Sequence, residues 1–159
     1  MAAAGASQFT FHIETAGVNM SCAAAAEIAA KARAAGMLAG IALAPETPAE
    51  AVFPLLAARA VDTVLLLSVR PGFGGQKFMP SVLPKVAALR GAFPWVNIEV
   101  DGGITLDNAG AVAAAGANAL VAGTTVFAGP KPPEEMIPEL VGIISEGLLQ
   151  AGVVAGNVR

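Results

Sequence analysis

The sequence predicts an α/β fold built on a parallel sheet, and three features lead there. Strand-like and helical runs alternate through five units of roughly 25–30 residues each. The run Thr63 to Val69 (TVLLLSV) is almost unbroken in its apolarity, as expected of a strand covered on both faces. Glycine- and aspartate-bearing segments follow several successive strands rather than one. Alternation of this kind brings right-handed crossovers. Periodicity alone leaves a doubly wound open sheet and a (β/α)8 barrel both open. Chemistry placed after successive strands is how barrels build their sites, and so favours the barrel.

Gln8 to Glu14 (QFTFHIE) alternates, with Phe9, Phe11 and Ile13 on one face and Thr10, His12 and Glu14 on the other. Ser21 to Ala35 is predicted helical and stops at Gly36, a residue suited to the left-handed position past a helix end. Met37 to Leu43 is an apolar strand halted by Pro45. Pro48 to Ala58 reads as a helix with Thr47 as its N-cap and Pro48 in the first helical position. Ser81 to Arg90 is the next helix. Asn97 to Asp101 (NIEVD) alternates, setting Ile98 and Val100 opposite Glu99 and Asp101. Leu106 to Ala115 is helical and closes at Gly116. A strand lies within Ala119 to Val126, and Glu134 to Gln150 forms the last helix. Residues 1–151 are expected to form one barrel-type domain, with 152–159 a loose tail.

Composition removes several classes of function. Hydrophobic residues make up 55% of the chain and charged ones 13%, which excludes a disordered chain. The net charge of −3, with no run of Lys or Arg, argues against a nucleic-acid partner. Cys22 is the single cysteine, so no internal disulfide forms and nothing points to an oxidising compartment. No apolar run reaches the roughly 18 residues a membrane span needs. Met1 to Ser7 has neither the basic region nor the apolar core of a signal peptide, so a cytoplasmic location is expected.

Candidate site residues sit after the strands. Gly72, Gly74 and Gly75, with Phe73 between them, follow the third strand-like run. Glycines can take backbone angles closed to other residues and turn N–H groups toward an anion. Asp101 ends an alternating strand and precedes Gly102 and Gly103, which leave room for a ligand and supply N–H donors. Gly123 and Thr124 follow the last strand, in a region that often binds phosphate in barrels. His12 is the only histidine. It reads as a structural or supporting group pointing, with Glu14, into the mouth of the barrel.

Four segments in order, Thr10–Glu14 (TFHIE), Pro71–Phe78 (PGFGGQKF), Ile98–Ile104 (IEVDGGI), and Gly116–Asn118 followed by Gly123–Thr124, carry a resemblance. They match the ribulose-phosphate 3-epimerases from about Gln8 to Gln150. The resemblance implies a (β/α)8 TIM barrel, here a partial barrel of about five β/α units standing for strands four to eight. It implies an isomerase of the pentose phosphate pathway that interconverts D-ribulose 5-phosphate and D-xylulose 5-phosphate by metal-assisted proton exchange at C3. Asp101 would be both acid/base and metal ligand. Gly72, Phe73, Gly74, Gly75, Gly102, Gly103, Gly123 and Thr124 would hold the sugar phosphate. The metal would be a divalent ion (Fe, Mn, Co or Zn).

The sequence departs from the family most in what it lacks. The three earlier strands would supply a substrate-binding serine, two histidine ligands and the partner aspartate, and none can be placed here. One carboxylate is a poor holder of a catalytic ion. A five-stranded arc also leaves unpaired strand edges, which predicts self-association or a homo-oligomer. Two further readings follow: a non-catalytic sugar-phosphate-binding half barrel, and a relative acting on allulose 6-phosphate.

Overall fold

A computed structural model of the chain describes residues 1–15, 18–70, 72 and 76–153. Among them, five parallel strands form one sheet: β1 (Gln8–His12), β4 (Leu38–Leu43), β5 (Thr63–Leu67), β6 (Asn97–Asp101) and β7 (Ala119–Val121), paired in that order. A two-residue hairpin, β2 (Glu14–Thr15) with β3 (Val18–Asn19), leads from β1 to the first helix. The helices are α1 (Cys22–Ala34), α2 (Phe53–Ala57), α3 (Leu83–Ala92), α4 (Leu106–Ala114), α5 (Gly123–Phe127) and α6 (Pro133–Gln150).

The pleat and the parallel register sort the side chains into two faces. On one, Ile41, Val64 and Ile98 lie side by side, and above them Leu43, Leu66 and Val100. All six are buried beneath the helices. Burial of each stabilises the fold by about 1.5–3 kcal/mol. Ala25, Ala29 and Ala32 recur at helical spacing on α1 and bring it down onto β4. The other face carries Thr10, Gly40, Thr63 and Asn97 in one layer. The next holds His12, Ala42, Leu65, Glu99 and Ala119, and Leu67, Asp101 and Val121 stand at the top. Thr10, Leu65, Glu99, Asp101 and Ala119 here are only half-buried. The arc is therefore sealed on its helix side and open on its concave side. Among the described residues β1 and β7 each have one neighbour, so both outer edges are unpaired.

Several predicted elements return with small shifts, and two readings differ, the helix over Pro48–Ala58 and its cap. Gly36 and Gly116 take φ of 81° and 113° past α1 and α4. Ser21 lies outside the helix it was read into and caps it, accepting from the Ala24 N–H at 3.2 Å. The helix read over Pro48–Ala58 is instead a 3-10 turn (Ala49–Val52) followed by the short α2. Pro54 cannot donate to the turn before it, which breaks the longer helix in two. Thr47 does not cap it; Pro48 stands at that position without a side-chain bond. The strand expected within Ala119–Val126 is present as β7, three residues long, and α5 follows it. Of the tail, residues 154–159 lie outside the described residues.

Candidate active site

Asp101 ends β6 at the carboxy-terminal mouth of the arc. Ile98 and Val100 turn to the helices, so Glu99 and Asp101 turn to the concave face. Leu67 and Val121 stand beside Asp101 in register. All three line a cavity of about 830 Å³, a size that suits a small ligand. The same cavity takes in His12 from β1, Gly72 and Gln76–Phe78 after β5, and Gly123–Thr125 at the start of α5.

Burial raises the Asp101 carboxyl above the ordinary aspartate range. Glu99, one layer deeper, is also raised, by burial first and then by the charge of Asp101. A rim carboxylate so shifted holds a proton better than a solvated one, which suits it to acid/base work near neutral pH.

Side chains fix the turn that follows. The Asp101 carbonyl accepts from the Ser68 N–H at 2.8 Å and from its hydroxyl at 2.9 Å. The same hydroxyl lies 2.6 Å from the Gly102 carbonyl. The Asn108 amide donates to the Gly103 carbonyl at 2.9 Å, and the Thr125 hydroxyl to the Ile104 carbonyl at 2.5 Å. Four successive carbonyls are thus tied back, by Ser68 just after β5 and by residues of α4 and α5. Gly102 and Gly103 take φ of 127° and 62°. A Cβ on Gly102 would stand 2.5 Å from Val69 Cγ2, and one on Gly103 2.5 Å from the Phe78 nitrogen. The space these glycines leave is filled by the segment after β5, which lies on the turn. They are needed by that packing, a reason the sequence did not show.

Of the residues singled out in the sequence, Asp101, Gly72, Gly102, Gly103, Gly123 and Thr124 all line this one cavity. Phe73, Gly74 and Gly75 lie outside the described residues. His12 reaches the cavity, as its parity indicated, whereas Glu14 is not among the residues lining it and stands beside His12 instead. Sequence reasoning missed two cations of the wall, Arg70 and Lys77, and three anchors, Ser68, Asn108 and Thr125. Asn108 had a signal: with Thr105 three residues earlier it forms a capping box on α4. Ser68 had none, being one polar residue in an apolar run. The residues present do not fit a divalent metal. Among the described residues no three of His, Cys, Asp and Glu come close enough to hold one.

Residues 1–127 match the model of the ribulose-phosphate 3 epimerase family. The cytoplasmic isoform of ribulose-phosphate 3-epimerase from Oryza sativa subsp. japonica is 47% identical over 135 residues, covering 84% of this chain and 57% of the relative. The ribulose-phosphate 3-epimerase of Schizosaccharomyces pombe is 47% identical over 140 residues, covering 88% and 58%. The chain thus spans well under two thirds of the length of the curated relatives it matches. A solved structure, thiamine phosphate pyrophosphorylase from Pyrococcus furiosus, is similar with a TM-score of 0.45 and 17% identity, covering 91% of this chain and 85% of that one.

Proposed function

The chain belongs to the ribulose-phosphate 3-epimerase family, and we propose that its cavity forms the carboxy-terminal part of a site that epimerises ribulose 5-phosphate at C3. The observation that carries this reading is the position of Asp101. Its carboxyl, raised by burial, faces the same space as Gly72 and the first turn of α5. The phosphate would lie at Gly123 and Thr124, at the start of a short helix after the last strand that carries no side-chain cap. Gly72 and the glycine-rich segment around it, Phe73, Gly74 and Gly75, would close on the sugar. Lys77 adds positive charge to the wall, and Arg70, paired with Glu46 at 2.9 Å, lines it as well.

Asp101 would take the proton from C3, next to the C2 carbonyl. The electron pair of that C–H bond then passes into the C2–C3 enediolate. Return of a proton to the opposite face inverts C3, and that needs a second acid. Asp101 is the one carboxylate lining the cavity among the described residues. A divalent ion would polarise the carbonyl, but its ligand set would have to come from outside the described residues. The reaction would run in the cytoplasm, a reading supported by the name of the rice relative, a cytoplasmic isoform. Among the described residues no helix is long and apolar enough to cross a membrane.

A second reading, a sugar-phosphate-binding half barrel without turnover, is supported by the single carboxylate that lines the cavity and by the unpaired outer edges of β1 and β7, both among the described residues. The unpaired edges and half-open concave face also favour self-association, which size-exclusion chromatography would show as a species larger than a monomer. Turnover and binding separate the two readings. The chain is assayed with D-ribulose 5-phosphate and Fe²⁺, Mn²⁺, Co²⁺ or Zn²⁺, and binding is followed by calorimetry. Xylulose 5-phosphate formation that Asp101→Asn abolishes supports the epimerase. Binding without turnover supports the half barrel, and no binding defeats both.

A further inference from the structure

His12 is used by neither reading above, yet its side chain lines the same cavity as Asp101. Its Nδ1 lies 3.1 Å from Glu14 Oε2. Glu14 is itself anchored: its Oε1 accepts from the Ala44 N–H at 2.9 Å, and the Thr47 hydroxyl donates to the carboxylate as well. Burial pushes the Glu14 carboxyl up. The bonds from Thr47, Ala44 and His12 outweigh that effect, leaving it below its ordinary range and ionised. An ionised carboxylate only accepts, so the hydrogen of the His12–Glu14 bond sits on Nδ1. In the neutral ring Nε2 is then an acceptor. Nε2 has no hydrogen-bond partner among the described residues. Ala42 stands beside His12 in register, and its methyl group leaves the ring unshielded on that side.

We propose that His12 is a substrate-contacting residue, its Nε2 lone pair accepting a hydrogen bond from a hydroxyl of the sugar phosphate, and that Glu14 is the positioning residue that fixes the ring for it. This deepens the epimerase reading and rests on it for the identity of the ligand. Sugar hydroxyls are donors, and a neutral imidazole held through its far nitrogen offers them an acceptor without adding charge. The loop Ala44–Thr47 is part of the device. Lys85 on α3 donates to the Ala44, Pro45 and Thr47 carbonyls and holds in place the loop that holds Glu14.

His12 is the only histidine in the chain, so ¹⁵N-histidine labelling gives a single imidazole spectrum. At pH 8 the wild-type ring is expected to carry its proton on Nδ1, the minor tautomer of free histidine. Glu14→Gln is expected to shift the population toward Nε2–H. D-ribulose 5-phosphate should then perturb the Nε2 resonance, while inorganic phosphate should move only the amides of Gly123–Thr125. His12→Ala should weaken binding of the sugar phosphate roughly tenfold. A wild-type ring protonated at Nε2 would overturn the proposal without any variant, so a Glu14→Gln chain that fails to fold does not block the test. If the sugar phosphate moves the Gly123–Thr125 amides and leaves Nε2 unchanged, the His12 proposal falls and the site reading survives. If nothing moves, both fall.

Discussion

The two rims of the strands are built from similar residues to opposite ends. At the amino-terminal rim Arg33, Asp62, Arg59 and Arg90 are spent on the protein. Arg33 donates to Asp62 at 2.7 and 3.3 Å and to the Arg59 carbonyl at 2.7 Å, and Asp62 also accepts from the Ala39 N–H at 2.9 Å. Arg59 lies over Trp95, 4.1 Å from its ring centroid. Arg90 donates to the carbonyls of Pro94, Val96 and Gly116 and to the Asn118 side chain. At the carboxy-terminal rim the carbonyls of Asp101–Ile104 are tied down and Arg70 pairs with Glu46, while the side chains of Asp101 and Lys77 face the cavity. Asp101 and Lys77 have no ion-pair partner among the described residues. One rim invests its polar groups in stability, and the other leaves them available to a ligand.

That difference makes mutations at the two rims separable. The largest effect is expected for Asp101→Asn, which should lower turnover by about 10²–10⁴-fold, the scale of losing one acid/base group. Its Tm at neutral pH should not fall, because the fold raises the carboxyl pKa and so gains nothing from its charge. Steady-state kinetics with a thermal melt reads both. At the other rim, Asp62→Ala should cost about 1.5–3 kcal/mol of stability, the scale of hydrogen bonds to a charged group. Kinetic constants per folded molecule should be unchanged. Urea titration beside the kinetic assay checks it, and a changed KM would break the separation.

Ser68→Ala should fall between the two. It removes the hydroxyl shared by the Asp101 and Gly102 carbonyls, at about 1–1.5 kcal/mol of stability, and it should lower turnover as well because Asp101 loses its brace. The smallest effect is expected for Glu14→Gln, and it should depend on pH. The folded state holds this carboxyl below its ordinary range, so the ionised form stabilises the fold. That contribution is present above the unfolded value of about 4.3 and is lost as pH falls through the lower folded one. Melts from pH 7 to pH 3 should show the variant less stable at the top of the range, with the gap narrowing toward the bottom.

The strand pattern was legible because side-chain parity is local. Asn97–Asp101 could be assigned, with its inward and outward faces, from five consecutive residues, and this placed Asp101 at the mouth. Gly36 and Gly116 were legible for the same reason, since the left-handed position past a helix end names its residue. What the sequence hid depends on distant partners. Gly123–Phe127 forms α5 although its β-branched residues Thr124, Thr125 and Val126 favour strand over helix. Ser68, Thr125 and Lys85 act on carbonyls 21 to 41 residues away, which no local pattern reports. Thr47 looked like a cap because Pro48 follows it, yet its hydroxyl goes to Glu14 on the neighbouring strand connection.

The central claim is that Asp101 exchanges the C3 proton of a sugar phosphate held in this cavity. Incubation of the chain with D-ribulose 5-phosphate and a divalent ion in D₂O, with ¹H NMR of C3, addresses that single step whether or not inversion follows. Deuterium entering C3 with the wild type and not with Asp101→Asn is the predicted result. Equal incorporation by both, or none by a wild-type chain that binds the sugar phosphate, would contradict it.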